Sequence, residues 1–253
     1  MISNSKIIKT SLNTQIKAIL FDLDGTLLHM DFEKFIPAFF KSFARYFSKH
    51  YDSDDLEQKL MAINVSLLQN AGNKTNLEVF KEKFYELFEV DTKVLDFMIS
   101  EYFDFVFPKL QKHVKSKPDA RDTVNTAFNC GYDVVIATNP IFPVIAARHR
   151  LNWVELGNFP YTLITGLENC SAVKPNLLFF KEICSKIDRN PSECLMVGDL
   201  NMDMVASKLG CPTFFMADSN ATLKPSTPKP TYMGTLKDLE ILIKNTQFGL
   251  NIY

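Results

Sequence analysis

The sequence predicts an α/β fold: a core of parallel strands flanked by helices, with an all-α segment inserted directly after the first strand. Three observations carry this reading. Lys17–Phe21 (KAILF) is a short apolar run that ends at a carboxylate and Gly25, as a buried strand does when it enters a tight loop. From Asp31 to His113 the apolar residues recur at helical spacing, and no run in that stretch reads as a strand. After Pro118 strands and helices alternate, which implies a parallel sheet with right-handed crossovers. Residues 1–30 and 114–253 are therefore expected to form the core domain, and residues 31–113 a helical domain.

In the helical segment, Phe32, Phe35, Ile36, Phe39, Phe40, Phe43 and Phe47 form one stripe. Leu56, Leu60, Ile63 and Leu67 form a second, and Phe80, Phe84, Leu87 and Phe88 a third. Leu95, Met98, Ile99, Tyr102 and Phe103 form a fourth, and Asn70–Asn76 is a polar break. Beyond it the spacing predicts a helix over Asp119–Asn129 that reaches Gly131, a C′ residue. A strand at Asp133–Ala137, a helix over Phe142–Arg150 and a strand at Tyr161–Ile164 follow, then a helix over Asn176–Ile187. Strand Cys194–Val197 leads to a helix over Met202–Leu209 ended by Gly210, and strand Pro212–Phe215 comes next. Asp218–Pro230, rich in Pro, Ser and Thr, reads as a loop, and Leu236–Lys244 as a last helix.

Composition narrows the function. With 28 Lys+Arg against 29 Asp+Glu the net charge is −1, which argues against nucleic-acid binding as the main activity. No apolar run approaches the ~20 residues that span a bilayer. The N-terminal stretch MISNSKIIKTSLNTQIK has no long apolar run and no small-residue cleavage site, and reads as neither signal nor anchor. Five cysteines without CxxC spacing read as buried thiols in a reducing compartment, so the expected location is cytoplasmic. A monomer or homodimer is expected, with no membrane partner.

The chemistry gathers where strands end, since ligands of open parallel sheets bind beyond the carboxyl ends of the strands. Asp22 and Asp24, in Asp22-Leu23-Asp24-Gly25-Thr26, follow the first strand, and Asp is both poor in strands and costly to bury unpaired. Thr138-Asn139-Pro140 follows the second, with Pro140 expected at a first helical position beside an anion site. Lys174-Pro175 precedes a helix. Asp199 ends the strand CLMV, and Asp203 stands four residues on, able to face the same site. Sheet geometry would collect Asp22, Asp24, Asp199 and Asp203 at one edge, where two like charges ~4 Å apart repel by ~4 kcal/mol at an effective dielectric of 20. Such a cluster calls for a cation, and all-oxygen ligands point to Mg²⁺. Thr138 and Lys174 then complement it as anion donors, the combination that phosphoryl transfer uses.

The order DxDGT, Thr, Lys-Pro, GDxxxD resembles the haloacid dehalogenase superfamily, whose first motif FDLDGTLL reproduces almost word for word. The resemblance spans Ala18 to about Leu239 and implies a Rossmann-like core with a type-1 helical cap, in the manner of phosphoglycolate phosphatases. It implies that Asp22 is the nucleophile forming an aspartyl-phosphate, and that Asp24 protonates the leaving alcohol and then activates water. Thr138 would bind the phosphoryl oxygens and Lys174 neutralise them, with backbone N–H groups near Leu23, Asp24 and Asn139 as further phosphate donors. Mg²⁺ would be held by the Asp22 carboxylate, the Asp24 carbonyl and Asp199, with Asp203 acting through water. Leu27–Asp31 and His113–Pro118 would be the hinges of the cap.

Two positions depart from the family pattern: His29-Met30 replace an Asp-Ser pair, making His29 a candidate substrate contact, and Leu200-Asn201 follow Asp199 where a second Gly is usual. The expected activity is that of a phosphatase acting on a small phosphorylated metabolite. Asp24 argues against dehalogenation, which has no leaving alcohol to protonate. The alternatives are a phosphomutase, a phosphonate hydrolase using one of Lys34, Lys41 or Lys49, and a non-catalytic phosphate-binding protein. Arg45, Lys74 and Lys109 are candidate anchors for a second anionic group. Lys109–Lys117 reads as a solvated hinge, and Arg148 and Arg150 as helix-end cations that complement the dipole.

Overall fold

The computed structural model describes residues 11–48, 55–89, 92–217 and 222–248. Expectations placed on the first ten residues, on Lys49 and on the start of the 218–230 loop lie outside the described residues. In chain order the structure runs β1 (Ala18–Phe21), β2 (Leu28–Met30), then α1 (Phe32–Phe47), α2 (Leu56–Leu68), α3 (Asn76–Phe88) and α4 (Thr92–Glu101). It continues through β3 (Val114–Ser116), α5 (Ala120–Asn129), β4 (Asp133–Ile136), α6 (Val144–Trp153), β5 (Leu163–Ile164) and α7 (Leu177–Lys186). The last elements are β6 (Cys194–Gly198), α8 (Asn201–Met204), β7 (Thr213–Met216), β8 (Tyr232–Gly234) and α9 (Leu236–Phe248).

Six strands form one parallel sheet in the order β5-β4-β1-β6-β7-β8. All four side chains of β1 are fully buried because both faces of the sheet are covered. Side chains alternate between faces. Ile19 and Phe21 join Val134, Ile136, Leu195 and Val197 under α5, α6 and α9, while Ala18 and Leu20 join Val135 and Met196 against Phe179, Phe180 and Ile183 of α7. The chain moves from β1 outward to β5 and returns to β6 on the other side of β1. This reversal puts a crevice at the carboxyl end of β1, where the ladder continues as Asp22 N donates to Val197 O at 2.9 Å.

The helical segment between β2 and β3 is aromatic throughout. Phe43 and Phe47 stack at 4.1 Å, and Tyr102 sits edge-on to Phe43 at 4.9 Å. The predicted fourth helix ends regularly at Glu101 and continues as a π-helical turn (Tyr102–Val106) and a 3-10 turn (Phe107–His113). Two rings carry this packing onto the core: Phe39 meets Phe142 edge-on at 5.0 Å, and Phe107 stacks on Trp153 at 5.5 Å. A cavity of about 100 Å³ remains at this seam, between Phe39, Phe103 and Phe142.

Three short strands escape the sequence reading: β2, β3 and β8, each of three residues. β2 and β3 pair antiparallel, so Val114–Ser116 of the predicted hinge run lie in a ribbon; Lys109, Lys112 and Lys115 are exposed, as a solvated run requires, while Leu110 and Val114 are buried. Pro140 is not at the start of a helix: α6 begins at Val144 behind Pro143, and Pro140 lies in the preceding loop. Among the described residues no helix is long and apolar enough to cross a membrane, and the five cysteines form no disulfide.

Asn76 fastens the helical segment to the core. Its side chain is fully buried, and Nδ2 donates to Pro140 O at 3.3 Å and Ala172 O at 3.2 Å while its backbone N–H donates to Cys170 O at 2.7 Å. Asn76→Ala strands those two carbonyls, and urea unfolding is expected to show a loss of about 1–3 kcal/mol. An unchanged midpoint would remove Asn76 from this role.

Candidate active site

Each acidic residue is placed by the backbone that precedes it. Asp22 leaves β1, and the following turn closes through Gly25 N to Leu28 O at 2.8 Å and Leu28 N to Leu23 O at 3.2 Å. Gly25 has φ +95°, and a Cβ there would lie 2.3 Å from Asp199 Oδ2, so both conformation and space exclude a side chain. On the neighbouring strand Gly198 has the same closeness to Asp203, whose Cγ would be 2.3 Å from an added Cβ. Asp203 Oδ2 accepts from Leu200 N at 3.0 Å at the start of α8, which fixes the short helix and aims its other oxygen inward.

The result is that Asp22, Asp199 and Asp203 offer oxygens within 4.8 Å of one another, all buried. Lys174, 1% exposed, reaches into the group: Nζ donates to Asp22 Oδ1 at 2.7 Å and to Asp203 Oδ1 at 2.6 Å. Those two carboxylates raise the lysine above its ordinary value against the opposing effect of burial, so it remains an ammonium. Asp199 has no such cation. Burial first, then the charges of Asp22 and Asp203, push its carboxyl up to about 7. Burial likewise raises Asp203 to about 6, although Lys174 opposes it. Thr26 Oγ1 lies 3.3 Å from Asp22 Oδ2 and 3.1 Å from Asp199 Oδ1. One hydroxyl proton serves one carboxylate at a time. A set of buried oxygens with more negative charge than its single ammonium neutralises suits a hard divalent cation.

Thr138 is buried at the end of β4, and its carbonyl accepts from Thr165 Oγ1 at 2.6 Å. Asn139 is tied to the lysine loop, its Oδ1 accepting from Lys174 N at 3.0 Å. The loops bearing Thr138 and Lys174 are thereby joined beside Asp22. The Asp24 side chain stands apart from this acidic group. Its carboxylate turns to Arg150, which pairs with Oδ2, while Oδ1 is buried with no hydrogen-bond partner among the described residues. Burial raises its carboxyl above the ordinary value, with Arg150 opposing.

Arg150 is the residue that sequence reasoning misassigned. It is not a solvated helix-end cation: it is 3% exposed and faces Asp24, whereas Arg148 on the same helix is exposed and fits that description. Helical spacing held the signal, because Arg150 shares the inner face of α6 with Ala146, Ala147 and Leu151. Of the candidate anchors, Lys74 pairs with Glu82 on the exterior at 2.6 Å, and Arg45 and Lys109 are exposed. Lys34 pairs with Asp31, and His29 is exposed on β2.

Comparison with known proteins finds likenesses over most of the chain. A family model described as haloacid dehalogenase-like hydrolase matches residues 16–209. The pyrophosphatase PpaX of Anoxybacillus flavithermus is 27% identical over 198 residues, 76% of this chain and 79% of that protein. The bifunctional riboflavin kinase/FMN phosphatase of Arabidopsis thaliana is 24% identical over 230 residues, 90% of this chain and 53% of that protein. The crystal structure of a HAD phosphatase from Thermococcus onnurineus shares the fold with a TM-score of 0.55 at 22% identity, covering 88% of this chain and 96% of that one.

The crowding of carboxylates has a measurable sign. The folded protein keeps the Asp199 proton up to about pH 7, whereas the unfolded chain releases it near its ordinary value of 3.8. Between those values the folded state binds more protons, so stability without divalent metal falls as pH rises. Thermal unfolding in chelator is expected to show a lower midpoint at pH about 7.5 than at about 5.5, and Asp199→Asn to flatten that slope. A slope of opposite sign, or one that Asp199→Asn leaves intact, would contradict the assignment.

Proposed function

The chain belongs to the haloacid dehalogenase-like hydrolases, and on that premise we propose that it is a Mg²⁺-dependent phosphatase hydrolysing a small phosphorylated metabolite through an aspartyl-phosphate on Asp22. The observation that carries the reading is the buried group of Asp22, Asp199 and Asp203 beyond the carboxyl ends of β1 and β6, with Lys174 paired to Asp22 and Asp203. The names of the curated relatives, a pyrophosphatase and an FMN phosphatase, belong to phosphate-releasing enzymes and support the same reaction class.

In this reading Asp22, Asp199 and the Asp24 carbonyl hold Mg²⁺, with Asp203 acting through water. When bound, the ion supplies positive charge against the transferring phosphoryl group. The chain's own residues do the rest. The Asp22 carboxylate attacks phosphorus while the bond to the leaving oxygen breaks, and Asp24 gives that oxygen a proton. Asp24 then takes a proton from water, whose oxygen displaces Asp22 from phosphorus. Lys174 keeps Asp22 oriented and neutralises charge on the phosphoryl oxygens. The Thr138 hydroxyl and the N–H groups of Leu23, Asp24 and Asn139 bind those oxygens.

The leaving group is assigned to the seam between the core (residues 1–30 and 114–253) and a helical cap (residues 31–113). Asp24, half-buried and paired, supports hydrolysis of an ester with a leaving alcohol over dehalogenation.

Purified protein with Mg²⁺ is expected to release phosphate from 4-nitrophenyl phosphate, chelator to stop it, and Asp22→Asn to abolish it. Equal rates for wild type and Asp22→Asn would overturn the covalent route. Mg²⁺ is also expected to raise the thermal midpoint more at pH about 7.5 than at about 5.5, because Asp199 must be ionised to bind it.

A further inference from the structure

Arg150 sits where a solvated cation would serve the α6 dipole better, and burying a guanidinium is unfavourable unless it is paired. Its surroundings fix it on three sides. Nε donates to Ala146 O at 3.1 Å, within its own helix. The guanidinium carbon lies 5.8 Å from the centre of the Phe142 ring. Nη1 donates to Asp24 Oδ2. Phe142 is itself wedged by rings of the helical segment, with Phe39 at 5.0 Å and Phe103 at 6.2 Å. Arg150 is thus an immobilised donor, and among the described residues Asp24 is its one acidic partner.

We infer that Arg150 is the positioning residue for Asp24, selecting Oδ1 as the oxygen that exchanges protons with the leaving group and with water. The inference rests on the phosphatase reading above. A guanidinium has N–H donors and no acceptor, so the carboxylate oxygen facing it cannot carry a proton. Oδ2 is occupied in this way, and Oδ1 is buried without a partner. In the first step the Oδ1–H bond breaks, and its proton goes to the leaving oxygen as the P–O bond opens and Asp22 bonds to phosphorus. In the second, Oδ1 accepts a proton from water as the water oxygen bonds to phosphorus and Asp22 departs. Arg150 touches neither substrate nor water and acts through Asp24 alone. Phe142 ties the arrangement to the helical segment, because the ring beneath the guanidinium is held by Phe39 and Phe103.

The test uses the full chain with Mg²⁺, comparing wild type, Arg150→Met, Arg150→Lys and Asp24→Asn on 4-nitrophenyl phosphate and on an alkyl phosphate. Nitrophenolate departs without a proton and an alkoxide does not, so lost proton delivery separates the two substrates. Arg150→Met is expected to lower kcat on the alkyl ester by about 100-fold or more. On the nitrophenyl ester it is expected to give a fast first turnover of about one equivalent and then a slow steady state, because water activation fails. Asp24→Asn should show the same pattern and Arg150→Lys a weaker one. Equal losses on both esters with no burst, in protein whose circular dichroism matches the wild type, would reduce Arg150 to packing and overturn the inference. If Arg150→Met does not fold, Arg150→Lys decides on the same comparison. No phosphate release by the wild type from either ester would overturn the phosphatase reading together with this one, whereas release without the substrate split overturns this one alone.

Discussion

The ammonium of Lys174, lodged between Asp22 and Asp203, is the contact on which the rest of the site depends. It ties the end of β1 to the start of α8, two places far apart in sequence, and it lies behind a loop that Asn139 holds against β4. Without a cation in that position, carboxylates at the ends of adjacent strands would repel and lose their water shells together. With it, one carboxylate, Asp199, is left unanswered, and its raised pKa is the mark of that remaining imbalance. The glycines are part of the same arrangement. Gly25 and Gly198 lack the Cβ that would strike Asp199 and Asp203, so the carboxylates approach the backbone instead of pointing into solvent.

The second constraint is aromatic. The segment between β2 and β3 has few charged groups facing the core and many rings, and it rests on Phe142 and Trp153. Phe142 follows the Thr138-Asn139 loop by three residues, so the ring that receives the helical segment is attached to the strand end that carries the site. Asn76 adds a polar fastening at the same edge, through Pro140 O. The two halves of the molecule meet at residues 138–143, at Trp153 and along Leu167–Val173.

Much of this was legible in the sequence, for identifiable reasons. The central strands are buried on both faces, so their apolar runs are unbroken and end abruptly at Asp22 and Asp199. Asp203 was legible because a four-residue step returns to the same side of a helix. What escaped was short or long-range. β2, β3 and β8 have three residues each, too few to show alternation above noise. Arg150 carried a misleading local cue, a cation in the last turn of a helix, and its true partner lies 126 residues away. The 102–113 stretch keeps helical spacing on paper but runs as π and 3-10 turns, in which Phe103 and Phe107 both lie against Phe142. Periodicity reads an ideal helix and is blind to a neighbour that asks for a different pitch.

The ribbon of β2 and β3 has a consequence for how this chain tolerates change. Met30 pairs with Val114 and Leu28 with Ser116, so the polypeptide leaves the sheet and returns to it through directly opposed positions. Opposed residues of an antiparallel pair have Cα atoms roughly 5 Å apart. Topologically, everything between them is one overgrown hairpin loop, closed at its neck by backbone hydrogen bonds that use no side chain. A loop of that kind adds closure entropy only as the logarithm of its length. Its content can be lengthened, shortened or exchanged for another folded module while the parallel sheet keeps its connectivity, which leaves the sheet and the helical segment open to separate histories.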